Sequence, residues 1–284
     1  MSGSFHFRKS WGAEHTDGGI RFRLWAPSQD RVSVRVAGAG RDLPMHEAGD
    51  GWFELETDAL QFGAGYSFVL ADGMAVNDPA ARAQVDGVNG PSKLVDPHAY
   101  KWQTADWRGR PWEEVVFYEL HTGTFSPEGT FDGIRRKLDH LVETGVTYIE
   151  LLPVAQFGGN RGWGYDGVLL YAPHQAYGGP DGLKRLVDEA HGRGLMMFLD
   201  VVYNHFGPEG NYLSLYAPDF FHPRRWLGGQ RPRRPRPDGW CQRSEPAGRP
   251  ARIPMADPRL ERSALGRDRV LRTSHRHVLS RGHL

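Results

Sequence analysis

Apolar and polar positions alternate along the first part of the chain. Ile20, Phe22 and Leu24 fall on one side and Arg21, Arg23 and Trp25 on the other; Val32, Val34 and Val36 then repeat at the same spacing, with Arg31, Ser33 and Arg35 between them. A period of two predicts half-buried strands. Further strands are predicted over 52–56 and 66–70, and the glycine pairs 38/40, 49/51 and 63/65 mark the turns between them. No helical pattern of useful length competes. The predicted first domain, residues 1–105, is a small immunoglobulin-like β-sandwich.

The pattern changes after Pro111. Residues 115–120 read as a short apolar strand. Ile134, Leu138, Leu141 and Val142 then recur at helical spacing and are closed by Gly145. Residues 146–152 form a second buried strand. After a long glycine-rich loop, Leu183, Leu186, Val187 and Ala190 mark a second amphipathic helix, which begins at Pro180 and ends at Gly192 and Gly194. Residues 195–202 are a third strand. The order β-α-β-α-β predicts parallel strands with helical crossovers. His121, then Trp163, Tyr165 and Asp166, then Asp200, Asn204 and His205 all follow the C-terminal ends of strands, the face on which (β/α)8 barrels build their sites. The glycines of residues 158–167 follow a strand but open no helix, which argues against a dinucleotide fingerprint.

Charge divides the chain in a way its net value of +1 conceals. Residues 223–284 carry 16 Arg, no Lys and five acidic residues, a net of +11, so residues 1–222 hold −10. The same stretch has eight prolines, two Trp and neither Phe nor Tyr. It lacks the apolar periodicity that offsets chain entropy, so it is predicted to be disordered. An Arg- and Pro-rich, lysine-free stretch is what a G+C-rich reading frame gives when translated out of phase, and a frameshift near residue 222 is the expectation. Its charge would attract anionic surfaces without selectivity, so no specific nucleic-acid partner is expected. Cys241 alone excludes a disulfide framework. No signal-peptide core or apolar run long enough for a membrane span is present, which predicts a cytoplasmic protein without a membrane partner. Nothing in the sequence fixes an oligomeric state.

The most informative run is Asp200-Val201-Val202-Tyr203-Asn204-His205, which closes a buried strand and enters a loop. A strand-end carboxylate can fix its neighbours, and an imidazole can hydrogen-bond a sugar hydroxyl. Four stretches taken together resemble the malto-oligosyltrehalose trehalohydrolases of the α-amylase superfamily. They are Phe117-Tyr118-Glu119-Leu120-His121 continuing to Thr130, Asn160-Arg161-Gly162-Trp163-Gly164-Tyr165-Asp166-Gly167, Tyr177-Gly178-Gly179-Pro180, and residues 200–211. The resemblance covers about residues 10–222. Glycogen branching enzymes share the architecture and fit these stretches less well.

The resemblance implies a truncated (β/α)8 barrel over residues 111–222, with about three of eight βα units, since a full barrel takes about 250 residues. It implies substrate-binding roles for Tyr165, as the aromatic platform under the glucose unit to be cleaved, and for His205, as that sugar's hydrogen-bond partner. Asp200 and Asn204 are implied as a structural pair, with Trp163 and Asp166 lining the same loop. The implied substrate is a malto-oligosyltrehalose or maltodextrin, and no cofactor or metal is implied. The reaction is retaining hydrolysis of the α-1,4 bond next to the terminal trehalose unit, which needs two carboxyl groups about 5–5.5 Å apart. In these enzymes the nucleophilic Asp follows the next barrel strand, with the acid Glu and a further Asp later still. Where that strand is due, residues 253–260 offer only Asp257 beside a proline. The chain as written is therefore expected to lack the catalytic residues. A fragment of a branching enzyme and a non-catalytic glucan-binding module are the alternatives.

Overall fold

The computed structural model describes residues 10–221 and the short strand Arg276–Val278. The alternating segment forms nine strands: β1 (Gly12–Thr16), β2 (Gly19–Trp25), β3 (Ser33–Val36), β4 (Asp42–Pro44), β5 (His46–Glu47), β6 (Trp52–Thr57), β7 (Gly65–Val69), β8 (Ala75–Val76) and β9 (Ser92–Lys93). They make two antiparallel sheets. One has the order β1-β2-β6-β5, and the other β4-β3-β7-β8 with β9 also on β7. Phe22, Leu24 and Phe53 from the first sheet and Val34, Tyr66 and Phe68 from the second share one core, because alternation turns every second side chain inward. Tyr66 meets Phe22 and Phe68 edge-on at 4.9 and 6.2 Å. Its hydroxyl donates to the buried Asp78 carboxylate at 2.5 Å. Burial, and then the Asp78 charge, push the phenol well above its ordinary range.

Beyond Pro111 come β10 (Phe117–Leu120), the short helices α1 (Thr122–Phe125), α2 (Phe131–Arg135) and α3 (Leu138–Glu143), and β11 (Tyr148–Leu151). They are followed by β12 (Ala155–Gln156), β13 (Leu169–Pro173), α4 (Gly179–Gly192), β14 (Met196–Asp200), α5 (Leu213–Tyr216) and β15 (Arg276–Val278). β10, β11 and β14 are parallel neighbours in that order. Leu120, Ile149, Leu151 and Met197 pack against Phe131, Ile134, Leu138 and Leu141 and against Leu183, Leu186 and Val187 of α4. The opposite face carries Tyr148, Met196 and Phe198, covered in part by Trp107 and Val115. Phe117 packs on Tyr148 and Phe198 at 5.5 and 5.0 Å but remains exposed, because β10 pairs only with β11 among the described residues.

Three features depart from the sequence expectations. The helix expected over 134–142 is two pieces, because Lys137 leaves the helical conformation and donates to the Ile134 carbonyl three residues back. That tighter turn shifts the register and leaves Val142 exposed. The long loop after β11 contains an antiparallel pair, β12 with β13, which buries Val168, Leu169 and Ala172 against Val88. The expectation of a tail without secondary structure is corrected at three residues: Arg276–Val278 pair antiparallel with β14, Val278 opposite Phe198 and Arg276 opposite Asp200. The bare edge of a parallel sheet offers a row of unpaired N–H and C=O groups, which any extended segment can satisfy. The rest of the predicted tail lies outside the described residues.

The segment joining the sandwich to β10 is pinned from α4. Asp188 accepts from Tyr100 Oη at 3.0 Å, Gln103 N at 2.8 Å, and Thr104 N and Oγ1 at 3.0 and 2.7 Å. Burial opposes ionisation of this carboxyl, yet the four donors outweigh it and hold its pKa below the ordinary value. Tyr100 is pushed up to about 12, by burial first and by Asp188 second.

Candidate functional site

The loops after β10, β12 and β14 meet at the C-terminal end of the parallel sheet. Two of them are zipped together by one backbone and one side-chain hydrogen bond. Gly207 N donates to Gly167 O at 2.9 Å, and two residues back along each loop His205 Nε2 donates to Tyr165 O at 2.8 Å. An added Cβ at Gly207 would lie 2.0 Å from the Asp166 carbonyl oxygen, so only glycine permits this approach. The zipper sets Tyr165, Asp166 and His205 side by side although they are about forty residues apart in sequence.

Trp163 and Tyr165 present their rings to solvent, at 65% and 50% exposure. Their backbone is nonetheless fixed. Gly164 has φ +93°, and a Cβ there would lie 2.2 Å from the Pro153 carbonyl oxygen. At Gly162 a Cβ would press on the Phe157 ring at 3.0 Å. Exposed aromatic faces on a rigid backbone suit sugars, whose C–H edges pack on rings while hydroxyls reach polar rims. The same loop is anchored below by His174, whose Nε2 donates to Gly159 O at 3.1 Å and whose Nδ1 accepts from Ala176 N at 3.1 Å. Burial lowers the His174 pKa despite the Gly159 bond, so the neutral ring is favoured.

His205 is half-buried, and both of its ring nitrogens have neighbours. The Tyr165 carbonyl can only accept, so Nε2 carries a proton; Nδ1 lies 2.9 Å from the Asn204 amide oxygen. A sugar hydroxyl seeking Nε2 must take the place of the Tyr165 carbonyl. Asn204 and Asp166 are exposed, and Asp200 is half-buried at the end of β14. Among the described residues no three His, Cys, Asp or Glu side chains gather where they could hold a metal ion. Asp257 lies outside the described residues.

Four residues near the site were not assigned a part from the sequence. Glu119 and Glu150 stand opposite each other in register on neighbouring strands, the first exposed and the second buried. His121 was visible as a polar residue at a strand end, but its hold on the Trp163 loop was not. Asn77 donates from the sandwich to the Gly210 carbonyl at 2.9 Å, in the loop that carries His205. The glycines of residues 158–167 were the available signal, because spacings that build no phosphate loop can still mark close backbone approach.

A parallel β/α sheet with aromatic and polar loops at its C-terminal end fits part of a (β/α)8 barrel. The catalytic domain of the alpha-amylase family matches residues 77–242, and the chain belongs to that family. The match begins inside the sandwich segment and runs into the basic stretch. Malto-oligosyltrehalose trehalohydrolase from Deinococcus radiodurans is 52% identical over 206 residues, covering 72% of this chain and 34% of the relative. That from Saccharolobus solfataricus is 44% identical over 211 residues, covering 74% and 37%. A 1,4-alpha-glucan branching enzyme from Corynebacterium jeikeium is 30% identical over 238 residues, covering 78% and 34%. The chain thus spans about a third of the length of these curated relatives. Among solved structures, a Salmonella typhimurium protein described as an alpha amylase has TM-score 0.74 and 58% identity, covering 78% of this chain and 38% of that one. A Paenibacillus barengoltzii pullulanase in complex with maltohexaose and alpha-cyclodextrin has TM-score 0.65 and 25% identity, covering 75% and 41%.

Proposed function

We propose that this chain carries the glucan-binding portion of a malto-oligosyltrehalose trehalohydrolase, a retaining hydrolase that frees trehalose by cutting the α-1,4 bond beside the terminal trehalose unit. The observation that carries the reading is the pair of exposed rings, Trp163 and Tyr165, on a backbone zipped to the His205 loop. These residues lie in the stretches that resemble the trehalohydrolases. Tyr165 stacks under the sugar, Trp163 extends the platform, and His205 exchanges its bond to the Tyr165 carbonyl for one to a sugar hydroxyl. Asp200 and Asn204 act as a structural pair, with Asn204 beside the histidine's Nδ1, and Asp166 lines the rim. The ligand is a malto-oligosyltrehalose or maltodextrin, and the two-sheet domain is immunoglobulin-like.

Binding does not imply turnover by this chain. Retaining chemistry needs two carboxyl groups flanking the anomeric carbon, one attacking and one protonating the leaving oxygen. Glu119 and Glu150 sit side by side on one wall of the sheet and cannot flank a sugar. The purified 284-residue chain should therefore bind maltodextrin and release no trehalose from maltotriosyltrehalose above a buffer blank. Turnover that scales with chain concentration and survives repurification would refute the inactivity, and absence of maltodextrin binding would refute the glucan reading. The likeness to a branching enzyme supports a second reading, in which a longer protein containing this segment forms α-1,6 branches on amylose instead of trehalose. The coding DNA discriminates the origin of the basic stretch: an alternative frame past codon 222 that restores a strand followed by an Asp-bearing motif supports a frameshift, and three frames without one refute it.

A further inference from the structure

His121 is the first residue after β10, and the reaction chemistry gives it no task. Its Nε2 lies 2.8 Å from the Gly162 carbonyl oxygen and 3.3 Å from the Tyr177 hydroxyl, which donates to the same carbonyl at 3.3 Å. Because a carbonyl only accepts, Nε2 carries the proton and Nδ1 accepts from the Thr124 hydroxyl at 3.1 Å. The Gly162 oxygen is thus held by two donors from two different elements, the end of β10 and the turn Gln175–Tyr177. Holding a carbonyl fixes its peptide plane, because the peptide bond does not rotate. The next residue in that plane is Trp163. The His121 ring also lies against the indole, with centroids 5.0 Å apart and planes inclined by 48°.

The arrangement is lopsided in an informative way. Below the loop two carbonyls are held: Gly162 by His121 and Tyr177, and Gly167 by the Gly207 amide. Above it both rings are left in water. Ordering a backbone while leaving its apolar side chains exposed gains little for folding, but it lowers the ordering cost of a later binding event. We propose that His121 is a positioning residue, clamping the Gly162 carbonyl so that Trp163 and Tyr165 are set in advance for an α-glucan chain, without touching the sugar itself. The ligand class rests on the glucan reading above; the clamp does not.

The two ring nitrogens can be imitated separately. The amide nitrogen of Gln reaches about as far as Nε2, whereas that of Asn reaches only as far as Nδ1. The full 284-residue chain is labelled with 5-fluorotryptophan, and the Trp163 resonance is identified by its loss in Trp163→Phe. His121→Gln should keep the position and width of that resonance, and His121→Asn should shift or broaden it. Maltoheptaose affinity should stay within about twofold in His121→Gln and fall about fivefold in His121→Asn, the effect of one net hydrogen bond. If His121→Asn does not fold, Tyr177→Phe removes only the second donor and should shift the same resonance less. A Trp163 resonance indifferent to the clamp variants overturns the proposal, whatever the sugar does. A resonance that follows the clamp while maltoheptaose leaves it unmoved in the unmutated chain upholds the positioning role and refutes the glucan reading.

Discussion

Replacing Tyr165 by Ala tests the platform most directly, because the change removes a ring without removing the zipper. The bond from His205 goes to the backbone carbonyl of residue 165, which Ala keeps. The ring is 50% exposed. A tyrosine side chain can bury 150–250 Å², so about 100 Å² is available to a ligand, and a sugar lying on one face covers about half of that. At about 25 cal/mol per Å², about 50 Å² is worth about 1.2 kcal/mol, or about an eightfold loss in affinity. Isothermal titration with maltoheptaose, or retardation in gels containing glycogen, reads that change. Tyr165→Phe keeps the face and should stay within about twofold. A Tyr165→Ala chain that binds as tightly as the parent would remove the ring from the binding surface. Any remaining binding would then have to be sought on the sandwich.

Gly207→Ala drives a Cβ into the Asp166 carbonyl and parts the two loops; with two hydrogen bonds lost at about 1 kcal/mol each, thermal unfolding should show about 2 kcal/mol of destabilisation, and the amide of residue 207 should exchange faster. Asp188→Ala leaves four neutral donors without their charged acceptor and should cost at least about 3 kcal/mol in denaturant unfolding. The depressed Asp188 pKa contributes stability that is present above the unfolded value of about 3.9 and lost as pH falls through the folded one, so melts of Asp188→Asn should decline less steeply below about pH 4 than those of the parent. For His174 the lowered pKa means that the unfolded chain takes up the proton first; stability should fall as pH drops below about 6.5, and that slope should be missing from melts of His174→Gln.

Four of the sandwich strands, β2, β3, β6 and β7, were legible because their alternation is local: Ile20, Phe22 and Leu24 are buried as a period of two requires, although Arg21 between them is buried as well. α4 was legible for the same reason, with Leu183, Leu186, Val187 and Ala190 all inside. The pieces that escaped depend on partners remote in sequence. β13 is five residues of mixed character, and only Val88 and β12 make it a strand. The break at Lys137 has no proline or glycine to announce it. At the site, Trp163, Tyr165 and His205 were legible as residues, whereas the geometry joining them was not. A carbonyl held by His121, or a glycine forced by Asp166, leaves no periodic trace in a sequence. Strand β15 on β14 was illegible for another reason: the edge it satisfies selects for extended backbone rather than for particular side chains.

The segment that follows the candidate site shows why the sandwich matters to it. After His205 the chain returns to the sandwich, where Tyr216 and Ala217 are buried in its core and Tyr212, Leu213 and Phe220 pack against it. Ser28 N donates to Tyr216 O at 3.2 Å, Gln29 Nε2 to Leu215 O at 3.1 Å, and Tyr212 Oη to Asn89 Oδ1 at 2.8 Å. Asn77 Nδ2 bridges Val88 O at 2.6 Å and Gly210 O at 2.9 Å, and Gly210 approaches so closely that a Cβ would meet the Val88 Cβ at 2.6 Å. The loop bearing His205 is therefore fixed at two points, to residues 165–167 on one side and to the sandwich on the other. A loop held at one end samples many positions, whereas one held at both ends presents its histidine in a single place, which lowers the ordering cost of a later binding event. In this arrangement the sandwich acts on the site through Gly210 and Tyr216 as a scaffold, and it can do so without touching a sugar.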